Sequence, residues 1–314
     1  AEDYVRFNPS DMSAWEVWVR NMGVAADLQW EQGEIAQSQV TARATVALAQ
    51  DKRLPSSLEP ALLYTWLRIA RSERQLGHAT ASEQAFQKAL RSNTESIALY
   101  GQNNVLRELF SNGESAWRSR LFLIDGQWQA ALNASNKVIE QLGKINIPIN
   151  ERNAITVRNN FLRNAYEISA TSELQLGHYV QAEALARLRL NVPPDQRSPR
   201  GDDPLIETTA ARVAIAHAIA MQGRYAEAQT MLASALDYYQ KDMLAGANGT
   251  SFRRDYAYAL YVSALSQPNS IAGQRQRATD LAAANKQLNS MTVEAQNLAT
   301  IHRLATWIAA AQQQ

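Results

Sequence analysis

Residues 66–90, WLRIARSERQLGHATASEQAFQKAL, decide the fold. Trp66, Ile69, Ala70 and Glu73 recur at helical spacing, as do Ser82, Ala85, Phe86, Ala89 and Leu90 beyond the Gly77-His78 pair. Two amphipathic helices joined by a tight turn present apolar surface on both sides. Such a pair cannot bury both faces alone and has to stack on copies of itself.

The copies are present. A glycine in the same setting occurs at Gly33, Gly77, Gly126, Gly177 and Gly223, so that successive glycines stand 44, 49, 51 and 46 positions apart. Seven residues before them lie Ala26, Ala70, Ser119, Ala170 and Ala216, and five after lie Ser38, Ser82, Ala131, Ala182 and Ala228. All are Ala or Ser, as close approach of two helices requires. Two residues after the glycine come Ile35, Ala79, Trp128, Tyr179 and Tyr225, mostly large and suited to plug the gap between one pair and the next.

This pattern resembles the tetratricopeptide repeat. The likeness is closest around Gly77 and Gly223, looser around Gly126, where Ser115 replaces the early aromatic, and it breaks at Arg189, where the pattern has Ala. The family's period is about 34 residues; these units are longer, and the extra length is assigned to longer first helices and inter-repeat loops. The resemblance implies an all-α, right-handed solenoid of helical hairpins with a degenerate terminal repeat and a capping helix. It covers residues 1–242 well and the remainder by analogy.

One solenoid over 1–314 is expected, beginning with the end of a truncated preceding repeat (1–12). Asn8-Pro9 would stop that helix, and Asp11 or Ser13 would cap the next. Five helix pairs follow over 13–242: 13–32 with 34–50, 58–76 with 79–92, a region ending in 114–125 with 127–142, 151–176 with 178–190, and 204–222 with 224–243. Ser56 or Ser57 caps the second pair. Thr94 is read as the cap of a long first helix, broken at Ser111-Asn112-Gly113; a separate extra hairpin is the alternative. Residues 143–150 form an apolar loop that packs back. Residues 191–204 carry four prolines and are irregular, and 245–251 form a flexible loop. A degenerate pair (252–266, 271–289) and a last helix (291–311) complete the chain, the latter docked by Leu298, Ile301, Leu304, Ala305 and Ile308. Trp15, Trp18, Met22 and Leu28 form the apolar stripe of the first helix.

Composition excludes several classes. The 31 basic and 30 acidic residues leave a net charge of +1, without the basic surplus of a direct nucleic-acid binder. The chain has no cysteine, which excludes disulfides, thiolate nucleophiles and Cys-ligated zinc. It holds no run of eighteen apolar residues that would insert in a membrane, and its composition suits either side of one. No phosphate-binding loop, dinucleotide fingerprint, nucleophile elbow or H-E-x-x-H helix occurs, so neither a cofactor nor a catalytic residue is assigned.

His78 and His178 each follow a turn glycine and are placed on the outside of the turn. His217 lies on a first helix, as a core residue or a binding contact, and His302 is expected at the surface. Asp202-Asp203 reads as a helix start. The tryptophans read as core, except Trp30, three residues before Gly33, where the family's concave groove lies. Polar residues at comparable offsets are Arg71, Arg74, Arg120, Asn164, Glu167 and His217. The Lys/Asn/Arg set of chaperone-tail binders is not matched. The expected function is a non-catalytic module holding a peptide or partner protein on these residues. The alternatives are a regulatory or sensory domain of a larger bacterial kinase or transcription regulator, and an all-helical enzyme using His217 with the 191–204 loop as a lid.

Overall fold

Five helices end at a glycine in the left-handed region, with φ of 81° at Gly33, 82° at Gly77, 73° at Gly126, 84° at Gly177 and 76° at Gly223. After each, the next N–H donates to the carbonyl five residues back, as from Glu34 to the Gln29 carbonyl (2.8 Å) and from His78 to the Glu73 carbonyl (2.8 Å). This closes the helix end on carbonyls that would otherwise have no partner, and at Gly33, Gly77, Gly177 and Gly223 the next helix packs back along the one just completed.

The computed structural model describes residues 11–51, 59–99, 104–193 and 204–313. Among them are fifteen helices and no strand: α1 (Met12–Glu31), α2 (Ile35–Asp51), α3 (Glu59–Gln75), α4 (Ala79–Leu99), α5 (Asn104–Ser111), α6 (Gly113–Asp125), α7 (Trp128–Lys144), α8 (Arg152–Gln175), α9 (Tyr179–Asn191), α10 (Pro204–Met221), α11 (Tyr225–Leu244), α12 (Thr250–Leu265), α13 (Ile271–Asn289), α14 (Val293–Gln296) and α15 (Ala299–Gln312). Helices α1/α2, α3/α4, α8/α9, α10/α11 and α12/α13 pack as hairpins, and α2 on α3, α7 on α8 and α9 on α10 join one hairpin to the next. The fold is an all-α helical-hairpin solenoid of tetratricopeptide-like repeats. None of the described helices is long and apolar enough to cross a membrane.

The chain divides into two compact units, residues 1–114 with 292–299, and residues 115–291 with 300–314. In both, the small residues occupy the positions their spacing demands: all ten Ala and Ser at the two fixed offsets are buried. Two of the serines add a bond. Ser38 Oγ donates to the Ala26 carbonyl at 2.6 Å, and Ser82 Oγ donates to the Ala70 carbonyl at 2.8 Å. The second helix is thereby fastened to the first through a side chain-to-backbone bond. The bulky residue after the turn behaves less uniformly. Ile35 is buried, Trp128 and Tyr179 half-buried, and Tyr225 exposed.

In the first unit, Asp11 caps α1, accepting from the Ala14 N–H (3.1 Å). Trp15 and Trp18 are buried edge to face, but Leu28 is 57 % exposed and leaves the core stripe. Arg68 forms a two-point pair with Asp27 (2.6 and 2.8 Å) that ties α3 to α1. Thr94 does not start a helix. It lies inside α4, its hydroxyl bonded to the Leu90 carbonyl, because no breaker interrupts the apolar spacing before Leu99. The expected break at Ser111-Asn112-Gly113 separates α5 from α6. Residues 292–299 also belong to this unit: Thr292 Oγ1 donates to the Gly33 carbonyl (2.8 Å), and the Ala36 N–H donates to the Glu294 carboxylate (3.0 Å).

In the second unit, Ile145 is buried but Ile149 is 91 % exposed, so the 143–150 loop packs back only in part. The expected loop over 245–251 opens with a hydrogen-bonded turn at Ala245-Gly246 and gives way to α12 at Thr250. Gly246 has φ 99°, and the Ala247 N–H donates to the Asp242 carbonyl. The helix expected over 291–311 is interrupted at Asn297-Leu298 into α14 and α15. Arg303 of α15 donates to the last carbonyls of α6, Leu123 (3.1 Å) and Ile124, and its guanidinium stands 4.7 Å over the Trp128 ring. The expected cap at Ser56-Ser57, the 1–10 segment and Asp202-Asp203 lie outside the described residues.

Candidate functional site

The first helices of the second unit place three of the sequence-predicted residues together. Arg120 on α6 reaches across to α8, where one guanidinium nitrogen donates to Glu167 Oε1 (2.7 Å) and another to Asn164 Oδ1 (2.9 Å). Asn164 is fixed in turn, its amide donating to the Asn160 carbonyl one helical turn back (2.9 Å). The other Glu167 oxygen takes Arg189 of α9 at 3.3 Å. Arg120 and Glu167 remain about a quarter exposed, whereas Arg189 is nearly covered.

Burial alone would raise the Glu167 carboxyl. The guanidiniums of Arg120 and Arg189, with Arg254 of α12 further off, more than offset it and hold the group down to about 2. Arg254 itself pairs with Asp255 (2.7 Å). The cluster therefore brings three guanidiniums to two carboxylates, a positive surplus on a partly open face.

Sequence reasoning found Arg120, Asn164 and Glu167 but not Arg189 or Arg254. Arg189 had left a signal. It is the one place where the repeat pattern calls for Ala and the chain supplies a long cation, because here the position serves Glu167.

His217 does not belong to an accessible surface. It is 4 % exposed, Nδ1 lies 2.6 Å from the Tyr258 hydroxyl, and the ring meets Tyr258 and Tyr261 edge to face. Burial lowers it to about 4, so it is neutral at physiological pH. It is a hydrogen-bonded core histidine of the α10–α12 contact.

Trp30, Arg71 and Arg74 lie in the first unit. Trp30 is half-buried and Arg71 exposed, while Arg74 approaches Glu83 of α4 at 3.8 Å. His78 and His178 are equivalent, as their common L-G-H setting predicts. Nδ1 of each meets the carboxylate five residues earlier, Glu73 at 2.8 Å and Glu173 at 2.6 Å. Arg43 of α2 shares Glu73. Each Glu thus accepts the turn N–H on its carbonyl and the turn imidazole on its side chain, a clip over the glycine. His302 is exposed. Among the described residues, no cluster of three or more His, Asp or Glu could hold a metal ion.

No family model matches the chain, and no curated protein matches it. Among solved structures it is similar to the crystal structure of the P58(IPK) TPR domain, with 12% identity over 94% of this chain and 99% of that one, at a TM-score of 0.18. Superposition that poor carries no weight by itself. The chain's own features are hairpins turned at left-handed glycines, buried Ala and Ser at both fixed offsets, and an α6 and α8 placed so that Arg120 meets Glu167. These make the fold tetratricopeptide-like.

Proposed function

We propose that the chain is a non-catalytic protein-interaction module, and that in its second unit a peptide or partner segment is held on the face carrying Arg120, Asn164 and Glu167. The observation that supports this reading is the Arg120–Glu167–Arg189 cluster itself. Its charged groups pair with one another, and Arg120 and Glu167 are left partly open. A surface of oriented donors and acceptors suits recognition of backbone amides and side-chain carboxylates. The same groups lack the nucleophile–base pairing that an acyl- or phosphoryl-transfer site needs. Trp30, Arg71 and Arg74 form a second candidate contact set, belonging to the first unit.

A peptide-display selection against the intact chain tests the proposal, followed by fluorescence polarisation with the selected sequences. Binding is expected to fall at least about tenfold in Arg120→Ala, the loss of one charge-assisted hydrogen bond, measured well below the unfolding temperature of the variant. A library that yields no binder, or binders indifferent to Arg120→Ala and Asn164→Ala, would refute it.

A further inference from the structure

The sequence contains two Asn-Gly pairs, Asn112-Gly113 and Asn248-Gly249, and the fold treats them oppositely. Asn112 is half-buried at the α5–α6 break, its side-chain amide donates to the Glu108 carbonyl (2.9 Å), and Gly113 is buried as the first residue of α6. Asn248 is exposed in non-helical backbone, and no hydrogen bond among the described residues engages its side-chain amide or the Gly249 N–H. Gly249 is the N-cap of α12, with φ −59° and ψ 155°.

One further contact concerns reactivity. Arg253 Nε donates to the Asn248 carbonyl oxygen at 3.0 Å, and its Nη1 is held by Gln287 (3.1 Å). The Asn248 carbonyl and the Gly249 N–H belong to one peptide group. When that N–H loses its proton, the negative charge delocalises onto the oxygen that Arg253 touches. A fixed cation at that place stabilises the anion before it forms, and the lack of a side chain on Gly249 leaves its nitrogen free to approach the Asn248 side chain.

We propose that Asn248 is a site of spontaneous deamidation promoted by Arg253. The deprotonated Gly249 nitrogen attacks Asn248 Cγ. The new C–N bond closes a five-membered imide, and the bond to the side-chain nitrogen breaks as that nitrogen takes up, through water, the proton the Gly249 N–H gave up and leaves as ammonia. Water then opens the ring at either carbonyl, leaving aspartate or isoaspartate. One water is consumed and one ammonia released, with no change of oxidation state.

The product matters to the fold because α12 has no acidic residue in its first turn and no side-chain bond at its cap. Aspartate at 248 would place a negative charge beside that helix start and beside Arg253. Isoaspartate would lengthen the main chain between the Gly246 turn and the cap.

The test is incubation of the intact protein at mildly alkaline pH, with peptide mapping by mass spectrometry that separates the aspartyl and isoaspartyl products. The same incubation is run in urea. In the native protein Asn248 is expected to convert several-fold faster than Asn112, and in urea the two should convert at similar rates. Arg253→Gln should slow the native reaction at Asn248, and Gly249→Ala should suppress it. Equal native rates at the two sites would overturn the proposal, as would an Asn112 that stays slow in urea. An Arg253→Gln protein that converts as fast as the parent, or faster, would also overturn it.

Discussion

Alanine at Gly33 and alanine at Gly77 should not cost the same, and the difference measures how firmly the 292–299 segment is attached to the first unit. The two glycines have φ of 81° and 82°, so the backbone penalty for an L side chain in the left-handed region, about 1–2 kcal/mol, is common to both. Their surroundings differ. A Cβ on Gly77 meets nothing within 4 Å, whereas a Cβ on Gly33 would lie 2.5 Å from Thr292 Oγ1 and 2.8 Å from its Cγ2. Thr292 must then move. Its bond to the Gly33 carbonyl is lost, and the Glu294 bond to the Ala36 N–H is endangered. At about 0.5–1.5 kcal/mol for each such bond, Gly33→Ala should exceed Gly77→Ala by about 1–3 kcal/mol. Because the chain has two units, native-state hydrogen exchange at the amides of Ala36 to Ser38 is the suitable assay. Thr292→Ala closes the cycle: costly in the parent, it should cost nearly nothing on top of Gly33→Ala. Equal losses for the two glycine variants, or full additivity with Thr292→Ala, would refute the reasoning.

Other consequences follow from the second unit. His217 is neutral in the native state down to about 4, below the ordinary histidine value near 6.5. The unfolded chain therefore binds the extra proton first. Stability should rise with pH between about 4 and 6.5, by up to roughly 3 kcal/mol in all. His217→Phe, monitored by urea titrations across that window, should flatten this dependence, and an unchanged slope would assign it elsewhere. The Glu167 carboxyl is depressed to about 2, so its contribution is complete above its ordinary value and is lost as pH falls through 2. Glu167→Gln should destabilise the unit by roughly 1–3 kcal/mol in thermal melts by leaving Arg120 and Arg189 unneutralised; Arg189→Ala in the same background should restore part of that loss. Gly273→Ala should cost about 1–3 kcal/mol by overpacking, because a Cβ there would sit 2.0 Å from the Pro268 carbonyl oxygen. A melt matching the parent's would show that the Gln267-Pro268 turn yields freely.

Most of the hairpin architecture was legible because it depends on two local requirements. A helix that reverses through a left-handed residue needs glycine, and two helices in backbone contact need Ala or Ser. Both leave marks at fixed offsets, and all ten small residues are buried where those offsets place them. Reading failed where structure follows from context. Thr94 carries a capping side chain, yet its hydroxyl finds the Leu90 carbonyl inside a helix that simply continues. Leu28 falls on the apolar spacing of α1 but is exposed, because spacing alone does not say which face another element covers. Gly246, a sixth left-handed glycine, was hidden among small residues that read as a loop.

The candidate site shows the same division more sharply. Asn164 and Glu167 were identified from their place on a first helix, and a position on one helix says which face a residue shares. It cannot say what meets it from the next helix, because that depends on how far one hairpin is displaced against its neighbour. His217 stands six residues before its turn glycine, as Arg120 does, and on periodicity the two are interchangeable. Yet one ring is enclosed by Tyr258 and Tyr261 while the other side chain reaches Glu167 at a partly open surface. Large aromatics on α12 close over the first case, and the small Asn164 leaves the second accessible. Deviations from a repeat's rules are therefore more informative than conformity to them. Arg189, an arginine where packing asks for alanine, carries a desolvation cost that the second Glu167 oxygen offsets, and a charge placed against the packing rule is the sequence-level mark of a partner waiting across the interface.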